Sequence, residues 1–206
     1  MMGEQARRAS WVGLAVALLG VASLVVNITT IEQLSGEQEQ FFAVRRTFSL
    51  LLNSGTAWAG VSVLAGAVMR RPGPAAITGM LAGTGALVVH YGLGELTGLM
   101  PAGSFSSNLF WFVAAILTGA PLGLVGALGR SRTRWGVAAR LVVPLGAVVE
   151  PWSAGWWQSS ALDSWPVKMS NPAAAVILTL LGLVGLTYAV RSRAAATTAS
   201  EVAPVR

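Results

Sequence analysis

Residues 11–28 carry no charged side chain, and that run limits the fold more than any other feature of the chain. A helix rises about 1.5 Å per residue, so about 20 apolar residues cover the roughly 30 Å hydrocarbon core of a bilayer. Comparable runs recur to the end of the chain. Reading each as a span predicts six transmembrane helices, at about 10–29, 47–69, 75–93, 108–128, 136–156 and 172–190. The expected fold is an all-α polytopic membrane helix bundle over residues 1–193. The Ala/Thr/Ser-rich tail, 194–206, is expected to be disordered. The first run is longer than the roughly 7–15 residues of a signal-peptide core and no A-x-A site follows it, so it reads as a retained helix.

Composition agrees. Of the 206 residues 54% are hydrophobic and 11% are charged, against about 25% charged in soluble domains. One soluble core of this size could not hide that much apolar surface. The net charge of +6 lies in short arginine clusters between the apolar runs, which argues for membrane topology and against a nucleic-acid partner. One set of ends carries Arg7, Arg8, Arg70, Arg71, Arg130, Arg132, Arg134, Arg140, Arg191, Arg193 and Arg206. The other carries only Arg45, Arg46 and Lys168, with Glu32, Glu37, Glu39, Glu95 and Asp163. Basic residues thus divide 11 to 3, and the positive-inside rule puts both termini in the cytoplasm. The chain is expected in the bacterial inner (cell) membrane as a multi-pass protein, with the lipid bilayer as its first partner. A membrane-protein partner or a homo-oligomer is the second.

There is no cysteine and one histidine. This excludes thiolate metal sites, disulfides, a thiol nucleophile and a multi-histidine site within one chain. No cofactor is implied. A Walker motif, G-x-S-x-G, H-E-x-x-H and a dinucleotide fingerprint are all missing, so catalysis by a soluble-type site is not expected.

Trp152, Trp156, Trp157 and Trp165 read as an aromatic belt at the outer interface, the alternative being a Trp156–Trp157 pair at the mouth of a cleft. Residues 37–48 read as an interfacial amphipathic helix feeding the second span. The Asn53-Ser54-Gly55 sequence then puts turn-forming residues inside the second span, which tolerates them if neighbours satisfy the backbone; a break or re-entrant entry there is the less favoured alternative. Gly79 with Gly83, Gly119 with Gly123, and Gly182 with Gly185 are spaced for close helix packing, here within the chain rather than at a dimer face. An offset of 60 residues pairs Gly66 with Gly126, Arg70 with Arg130 and His90 with Glu150. In a Gly/Ala-rich chain so few matches are better assigned to chance than to a duplicated hairpin.

Ionisable groups inside spans are costly, about 2.5–3.5 kcal/mol at a helix centre on insertion scales. Glu150 is therefore the leading candidate site residue. Pro151 follows it and frees a carbonyl one turn back. Arg45 and Arg46, which defy the charge asymmetry, are its expected ion-pair partners. Asn53, with Ser54, and His90 with Tyr91 share the same outer half of the bilayer. The ligand-binding set is thus Glu150, Arg45, Arg46, Asn53, His90 and Tyr91, with no catalytic and no metal-ligating residue.

Asn53-Ser54-Gly55-x-x-Trp58, Arg71-Pro72, His90-Tyr91-Gly92, Gly119-x-Pro121-x-Gly123 and Glu150-Pro151 together resemble an uncharacterised family, a domain of unknown function, of small multi-helix membrane proteins from high-GC bacteria. The resemblance covers residues 51–152. It implies a compact helical membrane domain and brings no activity, ligand or site residue. The leading functional expectation is a small-molecule or ion transporter, or a membrane-embedded binding subunit, with an outward-facing polar pocket. The alternative is a non-catalytic accessory or assembly subunit of a larger membrane complex. A lipid-acting enzyme comes third.

Overall fold

The computed structural model describes residues 3–201. The elements are α1 (Glu4–Asn27), α2 (Ile31–Leu34), α3 (Glu39–Leu52), α4 (Gly55–Val68), α5 (Pro72–Leu96), α6 (Ser104–Ser107), α7 (Leu109–Leu128), α8 (Arg134–Ser153) and α9 (Trp165–Glu201). No strand occurs among the described residues. Local sequence sets the helix starts. Pro72 opens α5 at a position where a missing N–H costs nothing. The Thr133 hydroxyl caps α8 by accepting from Gly136 N. Gly155, at φ +70°, carries the chain out of α8 in a left-handed turn.

Four helices are long and apolar enough to cross a membrane: α1, α5, α7 and α9. The α3–α4 pair passes the same test jointly, bent by 42° at Asn53-Ser54, where the sequence favours a continuous span. These apolar helices mark a membrane protein with four candidate spans, or five with the bent pair. The expected fifth span, α8, is not among them. Arg140, Glu150, Pro144 and Pro151 lower its apolarity. The segment expected as an interfacial helix, 37–48, is helical from Glu39 and runs unbroken into the second apolar run as far as Leu52, as the first half of the bent pair. The backbone of α9 continues to Glu201, into the expected tail, whose last residues, 202–206, lie outside the described residues.

The centre is a three-helix packing of α4, α5 and α7. Helix α5 runs antiparallel to both others, and bare backbone lets them meet. A methyl added at Gly79 would lie 2.4 Å from the Gly119 carbonyl oxygen, and one at Gly123 would lie 2.1 Å from that of Ala75. Between α4 and α7 the contact is reciprocal. A methyl at Gly66 would sit 1.9 Å from the Gly123 oxygen, and one at Gly126 would sit 2.0 Å from the Val63 oxygen. Those two contacts exchange under a shift of 60 residues, so Gly66 and Gly126 are equivalent across a local two-fold crossing. Arg130 extends this corner by donating to the Ala67 carbonyl at the end of α4.

The equivalence stops at α8. Under the same shift Gly79 becomes Ala139, Gly119 becomes Ala59 and Gly123 becomes Val63. A helix cannot dock on α4 through those methyls as closely as α5 docks on α7. Helix α8 packs mainly against α9, where Gly182 meets the Pro144 carbonyl and Gly185 meets the Pro144 ring. Trp156 is buried there with Ala147, Ala174, Ala175 and Leu178. It is therefore a packing residue, not part of an interfacial belt. Trp152 and Trp157 are exposed, with ring centroids 5.5 Å apart. Helix α9 also packs on α3, and α1 lies on α5.

Candidate functional site

The break at Asn53-Ser54 creates the first requirement of the site. A helix starting inside a bilayer exposes its first N–H groups where no water can satisfy them, at a cost of several kcal/mol each. Here all of them are satisfied. Glu150 Oε1 accepts from Gly55 N at 2.6 Å and Oε2 accepts from Thr56 N at 2.8 Å. The Ser54 hydroxyl accepts from Ala57 N at 3.1 Å. Trp58 N donates to the Ser54 carbonyl at 3.3 Å. The Glu150 carboxylate thus straddles the positive end of α4 from a neighbouring helix, where the helix dipole favours a negative charge.

The expected ion pair of Glu150 with Arg45 or Arg46 is not what the structure forms. Arg45 caps the other kind of helix end. It donates to the Val26 carbonyl in the last turn of α1, to the Thr29 hydroxyl at 2.9 Å and to Gln33 Oε1 at 3.0 Å. The unsatisfied carbonyls at a helix C-terminus attract a cation as its N-terminus attracts an anion. Arg46 donates to Asn171 Oδ1 in α9 at 3.1 Å. Asn53 joins the Arg45 side, donating to Asn27 Oδ1 at 3.2 Å, an oxygen that also accepts from Ser49 Oγ at 2.5 Å.

His90 and Tyr91 occupy a third place. His90 is buried, with Nδ1 2.6 Å from Ser23 Oγ. Its ring stands edge-on to Trp58 and Tyr91, at centroid distances of 6.3 and 4.7 Å. Tyr91 continues the aromatic contacts to Phe112 at 5.9 Å. The six expected residues therefore divide: Glu150 at the α4–α8 boundary, Arg45 and Asn53 at the end of α1, Arg46 on α9, and His90 with Tyr91 in the core. Ser23, Asn27, Gln33 and Asn171 complete these contacts and were absent from the expected set. The polar Ser23 and Asn27 inside the first apolar run were the signal for two of them.

Only Glu150 stands at an open cavity. A groove of about 320 Å³ separates α4 from α8. Gly55, Thr56 and Ala59 line one wall, and Val143, Gly146 and Glu150 line the other. Val142 and Val149, also on its α8 side, are 40% and 56% exposed, so it opens outward from the bundle. The Gly146 position faces the Thr56 hydroxyl, 3.3 Å from where a Cβ would be. The site combines one carboxylate and neighbouring hydroxyls with an apolar floor. Among the described residues no cation side chain pairs with Glu150. Compared with protein-family models, with curated proteins and with solved structures, the chain has no match.

Proposed function

We propose that the chain is a six-span protein of a bacterial cell membrane, with both termini cytoplasmic, belonging with the small helical membrane proteins its motifs resemble. In this reading it acts as a membrane-embedded binding subunit. Its ligand is a cationic amphiphile that enters the α4–α8 groove from the bilayer and places its head against Glu150. One observation carries this reading: a carboxylate that, among the described residues, has no cationic partner at an apolar groove that opens outward. Its charge is offset only in part by the start of α4, and a cationic head would offset the rest. Transport through the bundle has less support, because His90, Arg45 and Arg46 are engaged elsewhere and form no path with Glu150.

Binding of a tail-labelled fluorescent dodecylamine to the purified chain in phosphatidylcholine nanodiscs tests this. The wild type is expected to bind saturably. Gly146→Leu, which fills the groove opposite Thr56, is expected to weaken binding at least about tenfold, roughly 1.4 kcal/mol. Glu150→Gln should weaken it similarly. Equal binding by the wild type and Gly146→Leu would reject the groove as the site.

A further inference from the structure

The groove does more than attract positive charge. Its hydrogen-bonding groups count donors. A carboxylate offers about four lone-pair positions, and Glu150 spends two of them on Gly55 N and Thr56 N. Two remain. Ser153, at the same end of the groove, donates its proton to the Glu150 carbonyl at 3.0 Å, so its oxygen is left as an acceptor. Thr56 Oγ1, opposite Gly146, is a further oxygen on the groove wall. A primary ammonium carries three donors and no acceptor, and it meets the Glu150 carboxylate beside Thr56, whose backbone N–H the carboxylate accepts, with the Ser153 hydroxyl further along the same groove. A quaternary ammonium has the same charge with no donor, and would leave those oxygens dry and unmatched, which is how polar sites discriminate.

The shape indicates where such a head comes from. Apart from Glu150, Thr56 and Ser153 the lining is Gly55, Ala59, Val142, Val143, Gly146 and Val149, with no polar side chain. The groove is open along its length, toward the side where Val142 and Val149 are exposed. That suits a ligand that arrives sideways with its tail still among lipid chains. Resting on the binding reading above, we infer that the occupant is a membrane lipid with a primary-amine headgroup, held by its ammonium at Glu150 and Thr56 and selected against its N-trimethylated counterpart.

The test uses the full chain in nanodiscs containing equal phosphatidylethanolamine and phosphatidylcholine, followed by native mass spectrometry of retained lipid. Retention of phosphatidylethanolamine at least about tenfold over phosphatidylcholine is expected. Thr56→Val, which removes a hydroxyl but keeps the backbone N–H that Glu150 accepts from, should cut that preference to about threefold. Gly146→Leu should abolish retention of both lipids at this site. Equal retention of the two lipids by the wild type would overturn the inference, as would an unchanged preference in Thr56→Val. Dodecylamine separates the levels. If it binds in a Gly146-sensitive way but the lipids are not discriminated, the headgroup assignment alone is wrong. If it does not bind, the binding reading falls as well. If free dodecylamine binds and phosphatidylethanolamine is not retained, the source is a soluble amine and the lipid assignment is overturned.

Discussion

Charged side chains in this protein are spent on helix ends. Glu150 receives two N–H groups at the start of α4, Arg45 reaches the carbonyls at the end of α1, and Arg130 reaches the end of α4. Glu150 and Arg45 each leave one helix to cap another, and Arg130 reaches α4 from the turn after α7; removal of the Glu150 carboxylate exposes backbone that bilayer cannot solvate. Glu150→Ala strips two donors, at about 1–3 kcal/mol each. Ser54→Ala strips one cap, at about 0.5–2 kcal/mol. Thermal unfolding in lipid nanodiscs is expected to place Glu150→Ala below Ser54→Ala and both below wild type; the reverse order would show that the carboxylate is not the main cap. Glu150 itself was legible in the sequence, as the one acid deep in an apolar run. Its partner was not. Sequence displays side chains, and the most conspicuous counter-charges were Arg45 and Arg46. The actual donors are main-chain groups of Gly55 and Thr56, which become available only because the chain breaks at Asn53-Ser54. From the sequence that break was only the less favoured alternative. That it needs a carboxylate from another helix follows only once α8 is placed beside it.

Glycine sorts the helices into those that touch and those that stand apart. The α4–α5–α7 packing depends on backbone contacts that no side chain tolerates, whereas Gly92, also in α5, has nothing within 4 Å of its Cβ position. Gly123→Ala is therefore expected to cost about 1–3 kcal/mol through overpacking, and Gly66→Ala a comparable amount. Gly92→Ala should stay within about 0.5 kcal/mol of wild type. Melting temperature and monodisperse yield after extraction measure both; a Gly123→Ala protein as stable as Gly92→Ala would mean the seam is looser than drawn. The glycine spacings in α5, α7 and α9 foretold intrachain packing, and the contacts of Gly79, Gly119, Gly182 and Gly185 agree. The partners were hidden, because spacing fixes a face and not what lies against it. For the same reason the 60-residue offset looked like chance. Its meaning is confined to one crossing, where Gly66 and Gly126 exchange roles, and it fails where Ala59 and Ala139 replace glycines.

At the scale of the molecule the open question is whether α8 crosses the membrane, since it carries Arg140 and Glu150 and does not pass as a span by apolarity. The cost of both charges is lowered by where they go. Arg140 turns back toward the start of its own helix, donating to the Ser131 carbonyl at 3.1 Å and the Gly136 carbonyl at 3.3 Å, as a side chain does when it snorkels to an interface. Glu150 is neutralised in part by the end of α4. A hydropathy sum charges full price for both and so undercounts spans whose polar groups are matched internally. With α8 crossing, the proposed topology has six spans and the arginine clusters fall on one side. The chain has no cysteine, so each introduced thiol is the only one present. Arg132→Cys and Ser159→Cys bracket α8, and both positions are exposed. In intact cells a membrane-impermeant maleimide is expected to label Ser159→Cys, and to label Arg132→Cys only after permeabilisation. Labelling of both from one side would mean that α8 lies on or re-enters the membrane. Labelling of Arg132→Cys alone in intact cells would invert the orientation. Either result would also move Glu150 away from the outer half of the bilayer, where the groove is proposed to meet a lipid headgroup, so the topology and the binding site stand on the same helix.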